Sequence, residues 1–168
     1  MSINNENIQE SVREMYEKYP LPSDPIAFQR YSSSLTELDI CAKKNLEDLK
    51  DKLILDFGCG TGEIVCGLAK RMKDCRLVGV DISNESIKQA QLLAEQENLM
   101  NVSFVNCDIN AVNDVKRYDE IFSIGVLHHT PVAADSFNAL TTALNEGGYV
   151  TIGLYNLYGR IGNRIKRF

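Results

Sequence analysis

The hydrophobic rhythm of the chain changes once, near Lys52. Upstream of that point Ile8, Val12, Met15, Tyr16 and Tyr19 recur on one helical face until Pro20 and Pro22 break the run. Ser34 and Glu37 then form a capping box, and Leu35, Leu38, Ala42, Leu46 and Leu49 trace a second helix ending near Lys50. Downstream, the apolar runs LILDF, RLVGVD, VSFVNC, EIFSIG and YVTIGL alternate with helical stretches over 63–72, 84–98 and 132–145. This alternation predicts repeated βαβ units around a mostly parallel, doubly wound sheet in a three-layer α/β/α domain. The runs are apolar on both faces, so helices are expected on both sides. Their docking faces are Ile64, Leu68 and Met72 in the first helix, Ile87, Ala90 and Ala94 in the second, and Phe137, Leu140 and Leu144 in the third. Gly147 and Gly148 are expected to end that third helix.

With 168 residues, 44% of them apolar, the chain has material for one core. A net charge of -5 argues against a surface that grips nucleic acid throughout. Only the C-terminal YNLYGRIGNRIKRF offers a basic face, with Arg160, Arg164, Lys166 and Arg167 opposite Leu154, Tyr158, Ile161, Ile165 and Phe168. A nucleic acid or an anionic substrate would be held there. No apolar run approaches the roughly 20 residues that span a bilayer, and MSINNENIQES lacks a signal pattern, so a cytoplasmic protein without a membrane partner is expected. The five cysteines (Cys41, Cys59, Cys66, Cys75 and Cys107) are odd in number and contain no CxxC pair. They read as reduced, mostly buried thiols, with neither a disulfide framework nor a bound metal.

Ligands of open parallel sheets bind beyond the carboxyl ends of the strands. There the first run ends on Asp56 and a turn with Gly58, Gly60 and Gly62, which present no Cβ to an approaching ligand. The second run ends on Asp81, the third on Asp108 and the fourth on Ser123, Ile124 and Gly125. Asp81, 19 residues past Gly62, can accept from both hydroxyls of a ribose. Asp108 can accept from an exocyclic amine such as adenine N6, with the N–H of Ile109 donating to the adjacent ring nitrogen. No phosphate site accompanies them: no GKS or GKT follows, the turn has no Lys or Arg, and Asp56 and Glu63 flank it. The spacing is GxGxG, with Glu63 where the dinucleotide pattern GxGxxG needs glycine, so an NAD-dependent oxidoreductase is the weaker reading. An adenosine with a positively charged tail fits best, and S-adenosyl-L-methionine has such a tail.

Taken together, LDFGCGTG, VGVDIS, FVNCDI, YDEIFSIGVLHHTP and LNEGGYVTIGLYN, covering about residues 50–156, resemble the class I S-adenosylmethionine-dependent methyltransferases. The resemblance implies a Rossmann-like methyltransferase fold over 51–168, a helical N-terminal extension over 1–50 serving as a lid on the cofactor, and S-adenosyl-L-homocysteine as product. It places Gly58, Gly60 and Gly62 against the methionine part, Asp81 on the ribose, Asp108 and Ile109 on adenine, and Gly125 near the methyl group. Asp56 before the turn, Cys59 and Thr61 within it, and Ile82 after Asp81 join the cofactor-binding set, Cys59 as a small neutral filler. His128 and His129 border the substrate side in such proteins. As neighbours in an extended segment they would point to opposite sides, which makes them poor chelators and leaves one of them to orient the acceptor or take its proton. The segment VREMYEKYPLPSDP resembles a Tyr-Pro stretch ahead of this domain in some bacterial methyltransferases.

Such sheets normally have seven strands and close with an antiparallel hairpin, whereas five are legible before Phe168. The domain is therefore expected to lack its C-terminal strands, and an open edge on the fifth would favour a homodimer. The acceptor (small molecule, protein or RNA) stays unidentified, and a catalytically inert cofactor-binding module is the alternative.

Overall fold

The five apolar runs pair as one sheet. β1 (Leu53–Phe57), β2 (Arg76–Asp81), β3 (Val102–Asn106), β4 (Tyr118–Ile124) and β5 (Leu144–Gly153) stand in the order β3-β2-β1-β4-β5. Every pairing is parallel. The structure, a computed structural model, describes residues 5–20, 25–33, 50–112 and 114–154. Its helices are α1 (Asn5–Lys18), α2 (Pro25–Ser33), α3 (Glu63–Arg71), α4 (Asn84–Gln96) and α5 (Ala133–Ala143). The predicted helix from Ser34 to Leu49, with Cys41, and the basic segment from Tyr155 onward lie outside the described residues. Among the described helices none is long and apolar enough to cross a membrane.

Successive β1 side chains alternate between the sheet's two faces, so a strand apolar throughout feeds two cores. Ile54 packs with Leu68, Leu77, Ile87 and Phe122 on one side. Leu55 and Phe57 pack with Val80, Ile121 and Leu140 on the other. Each such side chain, fully buried, contributes roughly 1.5–3 kcal/mol. Strand order reverses beside β1, with β2 and β3 to one side and β4 and β5 to the other. That reversal opens a crevice at the carboxyl ends.

Local devices seat the helices. The Asn101 amide donates to the carbonyls of Ala69, Met72 and Cys75 at 3.1, 3.0 and 3.1 Å, serving acceptors left open at the end of α3 and in the turn that follows it. α2 lies on α3 at Gly67, where a Cβ would fall 2.6 Å from Tyr31 Cβ and 2.9 Å from the Phe28 carbonyl oxygen. Cys59, Cys66 and Cys75 are buried, Cys107 is half-buried, and all four are free thiols.

Four expectations need correction. Gly147 and Gly148 do not end the third helix: α5 stops at Ala143, and both glycines lie inside β5. Tyr118 faces Leu144 but Glu120 faces Tyr149, so β5 bulges between them. Gly147 takes a φ of 75° there, and a Cβ on Gly148 would sit 2.8 Å from the Asp119 carbonyl oxygen. Leu144 consequently belongs to the strand, and Phe137 is 41% exposed, leaving Leu140 as the buried residue of that trio. On α1, Met15 and Tyr19 face solvent, apart from Ile8, Val12 and Tyr16. β3 is covered on one face only, because as an edge strand it leaves Ser103, Val105 and Asn106 exposed.

Gly67→Ala is expected to lower stability by about 1–2 kcal/mol, since the clash with α2 outweighs the roughly 1 kcal/mol that alanine gains in a helix. The urea unfolding midpoint measures this. An unchanged or raised midpoint would show that α2 does not pack at Gly67.

Candidate functional site

The turn after β1 takes left-handed φ values at alternate residues: 86° at Gly58, 54° at Gly60 and 86° at Gly62. Two of these glycines are also required by neighbouring protein atoms. A Cβ on Gly58 would lie 2.4 Å from a Val126 methyl, and one on Gly62 would lie 2.7 Å from Ala90 Cβ. Gly58 N and Cys59 N donate to Val80 O at 2.8 and 2.9 Å, and Gly60 N donates to Asp81 Oδ2 at 2.9 Å. The other Asp81 oxygen accepts from Ser83 N at 2.9 Å. The N-cap of α4 is Ser83, whose Oγ accepts from Ser86 N at 3.1 Å, so Asp81 ties down the turn and does not cap the helix.

Above this turn lies a cavity of about 410 Å³, within the size range of small-molecule sites. Asp56, Gly58, Cys59 and Gly60 form its floor; Asp81, Ile82, Asp108 and Ile109 line the end under β2 and β3. Ile124, Gly125, Val126, His129, Thr130 and Pro131 line the end after β4. Gln9, Val12 and Tyr16 of α1 supply a further wall. The three predicted carboxylates thus share one cavity. Thr61, Gly62 and His128 do not line it. Thr61 instead donates to Glu63 Oε2 at 2.6 Å, and both border a wider depression between α2, α3 and α4.

Burial sets the electrostatics. Asp56 is 3% exposed, and its Oδ2 has no hydrogen-bond partner among the described residues. Desolvation, with the Asp81 charge adding to it, pushes the Asp56 carboxyl up to about 7. Burial raises Asp81 too, against the lowering effect of the N–H groups of Ser83, Gly60 and Ile82. The Cys59 thiol is pushed well above its usual value by burial and by Asp56, so it stays protonated and serves as a neutral filler. Asp108 accepts a hydrogen bond from Gln9 Nε2. Glu17 accepts from Asn84 N and Glu85 N at 2.7 and 3.1 Å, placing a carboxylate at the positive end of α4.

The histidines need a fifth correction. Leu127–His129 is a 3-10 turn and not an extended segment, so the two rings lie side by side with centroids 4.1 Å apart. His129 lines the cavity and meets Tyr16 edge-on at 6.3 Å, while His128 is exposed. Among the described residues no group of three or more His, Cys, Asp or Glu side chains could hold a metal ion. The N-terminal extension is expected from the resemblance as a lid, but sequence reasoning missed the residues by which α1 walls the cleft. Helical periodicity marked Val12 and Tyr16 as apolar but could not say which surface they cover, and nothing marked Gln9.

An open parallel α/β sheet with a glycine-floored, acidic cleft at its strand reversal places this chain among the doubly wound proteins that bind a small ligand at that point. Comparison with known sequences is more specific: the chain belongs to the methyltransferase domain family, whose sequence model matches residues 48–166. It is 31% identical over 108 residues to a probable (S)-tetrahydroprotoberberine N-methyltransferase of Papaver bracteatum, covering 61% of this chain and 30% of that protein. It is 33% identical over 105 residues to a tRNA (guanine-N(7)-)-methyltransferase of Rubrobacter xylanophilus, covering 57% of this chain and 47% of that protein. The chain thus spans less than half the length of either relative. Its fold is similar to a SAM-dependent methyltransferase of Geobacter sulfurreducens in complex with S-adenosyl-L-homocysteine, with a TM-score of 0.59 and 22% identity over 87% of this chain and 54% of that one.

Because the folded-state value of Asp56 lies above the unfolded value of 3.8, the folded chain keeps a proton that the unfolded chain sheds between about pH 4 and 7. Stability is lost as pH rises through that window. Asp56→Asn removes this titration, so its thermal midpoint is expected to exceed the parent's at pH 8, by the equivalent of up to about 4 kcal/mol, with the gap closing toward pH 4. Equal midpoints at pH 8 would show that the buried charge costs nothing.

Proposed function

We propose that this cleft binds S-adenosyl-L-methionine and that the chain transfers its methyl group to a nucleophilic acceptor. The observation that carries the proposal is Asp56 Oδ2, a buried oxygen unpartnered among the described residues, on the floor of a cavity that those residues line with Asp81 and Asp108 and with no Lys or Arg. A buried carboxylate in that state favours a ligand that brings positive charge. A pyrophosphate at the same place would meet only repulsion, which disfavours a dinucleotide.

The residues present fit the group. Asp56 and the glycine turn would hold the cationic amino-acid end, Asp81 the ribose hydroxyls, and Asp108 with the Ile109 N–H the base; Gly125 and Val126 border the opposite end. When bound, the sulfonium supplies an already activated methyl group. The chain is left mainly to orient: the glycine turn and the loop after β4 fix the line of attack, and α1 covers the cleft as a lid against water. His129 is the group placed to take a proton from an acceptor that must lose one, while exposed His128 stays outside the cleft. The relatives named above act at nitrogen on very different molecules, so the acceptor is set by segments other than the cofactor cleft. A nucleic-acid acceptor would be held through the basic segment beyond Leu154, and a homodimer through β5. Four free thiols support a reducing, cytoplasmic setting, and the stretch around Tyr19 and Pro20 a bacterial source.

Calorimetry is expected to show binding of S-adenosyl-L-methionine and S-adenosyl-L-homocysteine and none of NAD. Asp81→Ala is expected to weaken both by about 1–3 kcal/mol through lost hydrogen bonds to ribose and to Gly60 N. No heat with either sulfur nucleoside would sink the proposal, and unchanged affinity in the variant would remove Asp81 from the site.

A further inference from the structure

Gln9 is a wall residue of the cleft that the proposed function does not use. α1 is anchored independently of it: Glu17 accepts from Asn84 N and Glu85 N, fixing the helix to the start of α4. Eight residues earlier, about 12 Å along the helix, Gln9 donates from Nε2 to Asp108 Oδ2. An apolar residue at position 9 would dock the helix equally well, continuing the face of Val12 and Tyr16. The amide instead sits on the carboxylate at the base end of the cavity.

A primary amide that turns its nitrogen toward a carboxylate turns its carbonyl oxygen away, because two oxygens facing each other repel. Gln9 therefore carries an acceptor beside Asp108. A carboxylate has two oxygens and roughly four lone-pair directions, so Asp108 can accept from the Gln9 amide and from a ligand amine together. An exocyclic NH₂ has two hydrogens, one for Asp108 and one for Gln9 Oε1. A ring carbonyl at the same place has none and would face two acceptors.

We propose that Gln9 is a specificity-determining residue of the base subsite, forming with Asp108 a two-acceptor fork that selects a 6-amino purine over a 6-oxo purine. The proposal rests on the reading of this cleft as a nucleoside site. It makes the N-terminal helix part of cofactor recognition as well as its cover.

The test is calorimetry on the full chain with S-adenosyl-L-homocysteine and its 6-oxo analogue, S-inosyl-L-homocysteine, for the parent, Gln9→Ala and Gln9→Leu, the last retaining bulk against the cleft. The parent should prefer the amino form. Both variants should bind it about tenfold more weakly and bind the oxo form no more weakly than the parent does, so that the preference shrinks by at least that factor. An unchanged preference overturns the proposal, including the case in which both affinities fall together, as a purely structural role would produce. Tighter binding of the amino form by the variants also overturns it, since Gln9 would then be blocking the subsite. A parent that binds neither nucleoside fails differently, taking the cofactor reading down as well.

Discussion

Gly58 N and Cys59 N donate to Val80 O at 2.8 and 2.9 Å, and Gly60 N donates to Asp81 Oδ2 at 2.9 Å, so the turn after β1 is bolted to the end of β2. The bolt is available only to a backbone that enters the left-handed region three times within five residues. For a residue with a Cβ that conformation costs roughly 1–2 kcal/mol each time. Once the turn is placed, Val126 can close on Gly58 and Ala90 on Gly62, at distances that admit no side chain. The loop after β4 and the face of α4 are therefore positioned by the same five residues. The floor of the cleft, its wall after β4 and the seat of α4 behind it depend on one short stretch of backbone.

The carboxylates of the cleft stand against their own desolvation. Asp56 is buried beside Asp81, and Glu17 adds negative charge to the same neighbourhood. Backbone N–H groups relieve part of this at Asp81, while Asp56 keeps one oxygen unpartnered. Such an arrangement opposes stability and is characteristic of places where a protein prepares for a ligand. Its sign is informative: a cation relieves the strain and an anion adds to it. This is the physical content of the missing phosphate site, which the sequence expressed as flanking acids and the absence of Lys, Arg and a GKS or GKT pattern.

What was legible in the sequence follows from how local each signal is. LILDF and RLVGVD form strands with the bounds read from the sequence, because a strand buried on both faces leaves a continuous apolar run between turn residues. Asp56, Asp81 and Asp108 were legible for the same reason, since strand ends in a parallel sheet lie on one rim. Gly147 and Gly148 misled because a glycine that ends a helix and one that opens a bulge look alike; only the partner strand, with the Asp119 carbonyl pressed against Gly148, distinguishes them. The resemblance implies ligand contact for Gly62, and Thr61 joins it only as a member of the same turn. A turn that reverses its curvature at alternate residues sends them to the far side, toward Glu63 and α4. The pairing of Gln9 with Asp108, separated by 99 residues, leaves no mark on either local sequence.

α1 joins two ends of the cleft that the sheet holds apart. Gln9 reaches Asp108 beyond β3, Tyr16 meets the His129 ring after β4, and Glu17, next to Tyr16, fixes that end of the helix to α4. A 14-residue helix moves as a unit, because bending it sharply would break its own hydrogen bonds. Displacement of Gln9 by a ligand at the Asp108 end therefore swings α1 about its Glu17 end, where the adjacent Tyr16 stays against His129. The edge-to-face contact there, with ring centroids 6.3 Å apart, is worth only about 0.5–1.5 kcal/mol beyond the area it buries, whereas the two bonds to Glu17 carry a full charge. Motion of α1 should then pivot about Glu17 and open first at Gln9, about 12 Å along the helix from the pivot, at the Asp108 end of the cleft.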